Sequence, residues 1–193
     1  IELETVADII DQIAPALARQ RAGYSAWLKD RDEINYGLHE FLELCERTGA
    51  DPWIVVPLVY STVEASNLIE YLAGDSETVY GAKRSARGRQ VPWTSAFSKI
   101  HMELGNEAWN GVFRGGNLEH SASYGTRAQT IFTAMRRAAS FDSAKFDLII
   151  GGQAVWTGRN REIQAACNNN DTFAIAPYMM YEVNAWTNHQ QLF

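Results

Sequence analysis

Four short apolar segments, each separated from the next by a helical pattern, constrain the fold of this chain more than any other feature. They lie at residues 53–59, 99–105, 146–150 and 173–176, and the helical patterns cover 36–48, 62–74, 123–139 and 159–167. Strands that alternate with helices predict βα units, a parallel sheet and right-handed crossovers. Segment 53–59 is nearly continuous in apolar residues, which is typical of a strand buried on both faces of such a sheet.

Start and stop signals support the first two helices. Leu38, Phe41, Leu42 and Cys45 fall on one face of the 36–48 pattern, and Gly49 follows as its C-cap. The next helix is expected to begin after a cap at Ser61 or Thr62, to carry Glu64 in its first turn and to end at Gly74.

The segments between these elements are less regular. Residues 2–21 have apolar positions at nearly helical spacing but contain Pro15, so they predict either a helix or a long loop with helical turns. The charged residues 30–35 indicate a connector, and the polar residues 75–94 indicate a long loop. A basic cluster in this loop resembles a phosphate site, although solvated surface is the favoured interpretation: Lys83, Arg84, Arg87 and Arg89.

Composition restricts the class of protein and its partners. The chain has 193 residues, 46% of them hydrophobic and 21% charged, which predicts a single domain over 1–193. The net charge of −6 argues against a nucleic-acid partner, and the lack of a long apolar run argues against a membrane partner. The chain begins at Ile1 and carries no signal peptide, so the compartment stays open, with a secreted or periplasmic location among the options.

No cofactor or metal is expected. Cys45 and Cys167 lack CxxC spacing, so they indicate neither a metal site nor a disulfide framework. No G-x-G-x-x-G motif follows a predicted strand, and no G-x-x-x-x-G-K-[ST] motif occurs.

The stretch from residue 100 to residue 110 is the strongest candidate for a functional site. Ile100, Met102 and Leu104 alternate with polar residues, as in a strand with one apolar face. The strand is followed by Asn106 and Glu107, with Trp109 close behind. Apolar surroundings raise the pKa of a carboxyl group toward neutrality, and an indole offers a platform for a sugar ring. These residues therefore suit a general acid/base that acts on a carbohydrate.

This stretch resembles a known signature. Gly105-Asn106-Glu107, entered by an alternating strand and followed by Trp109, is similar to the Asn-Glu signature that closes the fourth strand of retaining glycoside hydrolases with (β/α)8 barrels. Residues 36–57 resemble the helix and third strand of the α-L-arabinofuranosidase-like members, and residues 64–74 resemble their next helix. The resemblance implies an α/β fold that is a partial (β/α)8 TIM barrel, about strands three to six. It makes 1–193 a single, incomplete glycoside hydrolase catalytic domain.

The resemblance also implies roles for individual residues. Glu107 is the expected general acid/base, and Asn106 is expected to bind the 2-hydroxyl of the sugar. Trp109 either stacks on a sugar or fills the barrel rim, while Tyr178 orients the nucleophile, lines the pocket or packs in the core. For His101 and Glu103 we favour a buried, hydrogen-bonded pair that supports the strand, and for Gln153 a capping amide.

A retaining mechanism needs a second carboxylate at about 5 Å from the first. The resemblance places this nucleophile at the end of a seventh strand, beyond Phe193, and Glu182 is the nearest substitute within the chain. Four strands from the middle of a barrel also leave open sheet edges. The expected partners are therefore a carbohydrate substrate and, at those edges, the remaining part of the barrel or further copies in a homo-oligomer.

Three functions remain in competition. The leading hypothesis is a retaining glycoside hydrolase that cleaves O-glycosidic bonds of plant or microbial polysaccharides or oligosaccharides. The second is a non-catalytic carbohydrate-binding or scaffold protein derived from the same barrel. The third, an unrelated doubly wound α/β enzyme, is weakened by the missing glycine-rich motifs. The sequence does not define the sugar or the linkage.

Overall fold

A computed structural model describes residues 21–25, 30–34, 37–113 and 116–177. The described elements follow one another along the chain as two strands, then helices alternating with strands. They are β1 (Arg21–Ser25), β2 (Asp30–Ile34), α1 (Leu38–Thr48), β3 (Trp53–Val56), α2 (Thr62–Ala73), α3 (Val79–Ser85), a 3-10 turn (Trp93–Ser95), β4 (Ile100–Leu104), α4 (Ser121–Arg137), β5 (Phe146–Gly151), α5 (Thr157–Ala166) and β6 (Thr172–Ala174).

Strands β3 to β6 form one parallel sheet in the order β3-β4-β5-β6. The register sets Val56 beside Leu104 and Leu104 beside Ile150, so the carboxyl ends of these strands meet at the same edge. The predicted alternation of helices with parallel strands is therefore confirmed.

The core lies between this sheet and the helices on one of its faces. In β4 the buried and half-buried residues alternate, which matches the predicted apolar face. The apolar face of the sheet packs against side chains from α2 and α4. The buried set includes Ile54, Val56, Ile69, Leu72, Ile100, Met102, Leu104, Ile131, Phe132, Met135, Phe146, Leu148 and Ile150.

The expectation that segment 53–59 is buried on both faces is wrong. The strand covers only Trp53–Val56, and its burial alternates. Trp53 and Val55 are each 46% exposed, because no described helix packs on the face of the sheet to which they point. In a closed barrel this is the inner face, which is covered by the opposite strands.

The predicted ends of α1 and α2 are confirmed. Gly49 has the left-handed conformation, with φ 69°, that a C-cap glycine adopts. The Ser61 side chain caps α2 and accepts a hydrogen bond from the Glu64 backbone N–H, and the Glu64 carboxylate accepts one from the Ser61 backbone N–H. This reciprocal capping box satisfies two backbone N–H groups at the start of the helix.

The interpretation of 75–94 as a solvated loop is wrong. The segment contains α3 and the 3-10 turn, and the side chain of Arg84 is fully buried. Its guanidinium donates to the carbonyl oxygens of Tyr71 at 2.9 Å, Arg89 at 3.3 Å and Gln90 at 3.3 Å. A buried cation is tolerated there because backbone acceptors replace its lost water.

Residues 30–35 are not a plain connector either. Strand β2 pairs antiparallel with β1 over five residues, from Arg21 opposite Ile34 to Ser25 opposite Asp30. The two strands are paired by backbone hydrogen bonds, which form whatever the side chains are. The charged sequence has no apolar alternation, so it gave no indication of a strand. Apart from Arg21, the segment predicted as a helix or loop at 2–21 lies outside the described residues.

Two further findings concern the cysteines and the helices. Cys45 and Cys167 are buried free thiols. Among the described residues, every helix is too short or too polar to cross a membrane.

Candidate active site

The turn that follows β4 carries Glu107 in an unusual backbone conformation. Gly105 has φ 72° and Glu107 has φ 43°, and within the described ranges Glu107 is the one non-glycine residue with a positive φ. An L-residue in this region costs about 1 kcal/mol or more, and such strain gathers at functional sites. A Cβ atom on Gly105 would lie 2.9 Å from Cγ of Leu58, so this position also lacks room for a side chain.

Asn110 holds the Glu107 side chain in place. Its amide nitrogen donates to Oε2 of Glu107 at 2.9 Å, and its amide oxygen accepts from the backbone N–H of Val112 at 3.0 Å. The second bond fixes the orientation of the amide, so the NH2 group faces the carboxylate. The backbone N–H of Asn110 also donates to the Glu107 carbonyl at 2.7 Å, which closes the turn.

Glu103 lies on the same strand, on the face opposite the helices. It is half-buried, and its Oε2 accepts a hydrogen bond from the indole N–H of Trp53 at 2.9 Å. Burial raises the pKa of the Glu103 carboxyl, the bond from Trp53 lowers it, and the charge of Glu107 raises it further. The two carboxylates therefore interact electrostatically.

The favoured pairing of His101 with Glu103 is wrong, because each side chain bonds to a different strand. Nδ1 of His101 lies 2.8 Å from a carboxylate oxygen of Asp147 on β5, whose other oxygen accepts from Thr172 at 2.7 Å. Residues i and i+2 of a strand are about 7 Å apart, whereas neighbouring strands are separated by about 4.8 Å. Cross-strand partners therefore lie closer than the next residue on the same face.

Two side chains of α4 fix the strand ends from the helical side. The buried hydroxyl of Tyr124 donates to the Leu104 carbonyl at 2.6 Å and accepts from the Gly151 N–H at 3.0 Å, which joins β4 to β5. Burial raises the pKa of Tyr124, so its hydroxyl keeps its proton. Arg127 donates to the carbonyl oxygens of Leu58 and Tyr60 in the loop after β3, and Leu58 packs against Gly105.

Some of the predicted site residues lie together in the turn after β4, and others lie outside the described residues. Asn106 is exposed, and Glu107 and Trp109 are half-buried in the same turn after β4. Tyr178 and Glu182 lie outside the described residues, so their expected positions stay predictions. Gln153 accepts a hydrogen bond from the backbone N–H of Val155 at 2.8 Å in the loop before α5, and the N-cap of that helix is Trp156, without a side-chain capping bond.

Sequence reasoning missed Asn110, Trp53 and Tyr124 as neighbours of the turn. Asn110 had a detectable signal, since an amide three residues after a turn-forming residue is well placed to bond back to it. Trp53 and Tyr124 gave no such signal, because their contacts cross from one element to another.

One groove within the described part of the chain is separate from this turn. It has a volume of about 440 Å³ and lies among α1, α2 and α3, where its walls include Tyr60, Tyr71, Tyr80, Lys83 and Arg87. A barrel site at the strand ends is enclosed by loops from all eight strands. The four parallel strands described here do not enclose one, so this groove does not locate the site. The described residues also contain no group of three or more His, Cys, Asp or Glu side chains that would hold a metal ion.

Consecutive parallel strands, helices on one face and a strained Gly-Asn-Glu turn at the strand ends define part of a (β/α)8 barrel. The family follows from the sequence comparison. The family model of the alpha-L-arabinofuranosidase 1 domain matches residues 4–191, so the chain belongs to the alpha-L-arabinofuranosidase family.

Curated relatives agree with this assignment. An intracellular exo-alpha-L-arabinofuranosidase from Bacteroides ovatus is 29% identical over 101 residues, which are 52% of this chain and 19% of that protein. Alpha-L-arabinofuranosidase A from Aspergillus niger is 31% identical over 152 residues, which are 70% of this chain and 21% of that protein. The chain thus spans about a fifth of the length of these relatives.

Solved structures share the fold. The alpha-L-arabinofuranosidase of Thermotoga maritima, in an arabinose complex, superposes with a TM-score of 0.66 at 18% identity, over 89% of this chain and 38% of that one. The thermostable GH51 alpha-L-arabinofuranosidase of Thermotoga petrophila gives a TM-score of 0.68 at 18% identity, with the same coverage.

Proposed function

We propose that the protein carrying this chain is a retaining glycoside hydrolase that releases α-L-arabinofuranosyl units from plant or microbial polysaccharides or oligosaccharides. Glu107 serves as its general acid/base. One observation carries the proposal: in a chain of this family, a carboxylate stands on a strained turn at the carboxyl end of a barrel strand, and Asn110 orients it. The names of the relatives supply the sugar class.

The chemistry assigned to Glu107 has two steps. In the first, a carboxylate nucleophile attacks the anomeric carbon while Glu107 gives its proton to the departing glycosidic oxygen. In the second, the ionised Glu107 takes a proton from water, and the oxygen of that water displaces the nucleophile from the anomeric carbon. We place the nucleophile outside the described residues, on another strand of the same barrel.

Neighbouring residues have supporting roles in this proposal. Asn106 binds the 2-hydroxyl of the sugar, a contact that strengthens as the oxocarbenium-like transition state forms. The half-buried indole of Trp109 borders the sugar, as does Tyr178. Asn110 and the Gly105 turn restrict Glu107 to one orientation, which lowers the entropic cost of proton transfer.

The competing function is a carbohydrate-binding protein that keeps the barrel but has lost catalysis. Hydrolysis separates the two. The complete gene product is assayed on a panel of aryl glycosides that includes an α-L-arabinofuranoside and a β-D-xylopyranoside. We expect hydrolysis of the arabinofuranoside and, in the presence of methanol, a methyl glycoside of the same anomeric configuration as the substrate.

Matched variants assign the activity to the site. Glu107→Gln should lower kcat/KM on an unactivated substrate by at least about a hundredfold, the usual contribution of general acid catalysis. Glu119→Gln makes the same exchange at an exposed position after the same turn and should retain activity. Sugar binding without turnover of any glycoside would favour the non-catalytic alternative.

A further inference from the structure

The basic cluster at 83–89 contains two kinds of cation. Arg84 is buried against backbone carbonyl oxygens, and Arg89 pairs with the Glu46 carboxylate on α1 at 2.7 Å. Lys83 and Arg87 have no carboxylate partner within the described residues, where the ion pairs are Arg89–Glu46, His101–Asp147 and Arg136–Asp171. Two neighbouring cations without an acidic partner, in a chain of net charge −6, favour an anionic ligand.

Lys83 and Arg87 both lie on the wall of the groove among α1, α2 and α3. Nζ of Lys83 is 4.0 Å from the centre of the Tyr80 ring, and the guanidinium carbon of Arg87 is 5.9 Å from the centre of the Tyr71 ring. A contact with an aromatic face holds a cation in place without neutralising its charge. The groove therefore presents positive charge beside aromatic surface.

Hydrogen bonds hold two tyrosine side chains of this groove in position. Nδ1 of the buried His39 on α1 lies 2.7 Å from the Tyr71 hydroxyl, and the Asn67 amide on α2 donates to the Tyr80 hydroxyl at 2.9 Å. The groove volume of about 440 Å³ is in the range of small-molecule sites, which combine an apolar lining with a few placed polar groups. Because these walls are fixed before a ligand arrives, less ordering is needed on binding.

The uncharged polar groups of the groove favour a ligand with hydroxyl groups. The carbonyl oxygen of the Asn67 amide and the Tyr60 hydroxyl make no hydrogen bond to another described residue. The Glu64 carboxylate is also on the wall, but it is engaged by Ser61 at the start of α2. A free acceptor and a free hydroxyl beside aromatic rings suit the hydroxyls and the apolar faces of a sugar.

We propose that this groove binds a carboxylated sugar, a uronate unit of an acidic polysaccharide, with the sugar carboxylate between Lys83 and Arg87. The planar guanidinium of Arg87 suits a carboxylate because it donates two parallel hydrogen bonds. The walls of the groove lie on helices outside the sheet and are separate from the Glu107 turn, so the groove is a second carbohydrate site. This inference goes beyond the proposed function and does not depend on the role of Glu107.

The test is calorimetric titration of the complete gene product with trigalacturonate and with its methyl ester. The two probes have the same sugar rings, and only the first carries carboxylates. We expect the acid to bind at least about tenfold more tightly than the ester, because neither cation has a partner in the ester. Added NaCl should weaken binding of the acid, since salt screens exposed charges.

Variants assign the binding to this groove. Arg87→Gln and Lys83→Gln should each weaken binding of trigalacturonate about threefold to fivefold. Arg161→Gln, which removes a guanidinium from an exposed position on α5, is the matched control and should bind like wild type. Equal affinity for acid and ester, or equal affinity of Arg87→Gln and Arg161→Gln, would overturn the inference. Inorganic phosphate that displaces trigalacturonate at equal concentration would also overturn it, because the groove would then select charge alone.

This test is separable from that of the proposed function, because calorimetry needs no hydrolysis. A wild type that binds trigalacturonate in this groove without cleaving any glycoside would reject the proposed function and support the second site. A wild type that hydrolyses the aryl arabinofuranoside but binds neither probe would support the proposed function and reject the second site.

Discussion

The side-chain amide of Asn110 donates a 2.9 Å hydrogen bond to Oε2 of Glu107, three residues earlier in the chain. Because the Val112 backbone fixes the orientation of that amide, the bond constrains the carboxylate of the proposed acid/base. Asn110→Ala should lower kcat/KM about tenfold, as expected for losing a hydrogen bond to a charged group.

A matched variant tests whether this loss is specific to the hydrogen bond with Glu107. Asn117→Ala, which removes an amide bonded at 3.4 Å to Glu119 after the same turn, is the matched control. Equal effects of the two alanine variants would count against a positioning role for Asn110.

At Gly105, the cost of backbone strain and the cost of a steric clash with Leu58 can be measured separately. Its φ of 72° penalises any side chain, and Leu58 occupies the space that a Cβ would need. Gly49 has a similar φ of 69° with open space around it, so Gly49→Ala should lower the free energy of unfolding by about 1 kcal/mol through backbone strain alone.

Gly105→Ala should cost more than Gly49→Ala because it adds the clash. It should also reduce turnover, since the turn carries Glu107. Adding Leu58→Ala should recover part of the activity lost in Gly105→Ala, measured as kcat on the aryl arabinofuranoside. If Gly105→Ala and Gly49→Ala prove equally stable and active, Leu58 does not shape the turn.

Tyr124 joins the strand that carries Glu107 to its neighbour. Tyr124→Phe leaves the Leu104 carbonyl and the Gly151 N–H without the bridging hydroxyl, which should lower stability by about 1–3 kcal/mol. Thermal unfolding of the complete gene product measures this loss. Tyr80→Phe, which removes a part-buried hydroxyl that accepts from Asn67, should be milder; an equal or larger effect would contradict the bridging role.

Glu103 should make stability depend on pH. Burial is the largest influence on its pKa, which lies above the ordinary value of 4.5 in the folded protein. Below 4.5 the group is protonated in both the folded and the unfolded state and has no pH-dependent effect. As pH rises through the folded pKa, the unfolded state loses its proton more readily, so stability is lost. Wild type should therefore lose stability relative to Glu103→Gln as pH rises from about 4 to 7; a wild type that instead gains stability relative to the variant over this range would contradict the assigned direction.

The sequence was sufficient to predict the alternation of helices with strands β3 to β6 and the location of the acidic turn, but not the β1–β2 hairpin or α3. Alternating burial in β4, the Ser61 capping box and the Gly49 C-cap are local features, which a linear pattern records directly. The inner face of β3 was misjudged because an apolar run does not reveal which face the helices cover. The partners of Glu103, His101 and Arg84 come from distant parts of the chain, and no local pattern identifies such contacts.

The central claim is that Glu107 donates and accepts the catalytic proton. It is tested most directly by the response of Glu107→Ala in the complete gene product to leaving-group acidity. Removing the Glu107 carboxyl group should slow the hydrolysis of aryl arabinofuranosides with poor leaving groups by at least about a hundredfold. Hydrolysis of those with good leaving groups should be slowed much less. Added azide should raise turnover of the activated substrates by reacting with the glycosyl-enzyme in place of water. Equal losses on both substrate types, with no response to azide, would contradict the account.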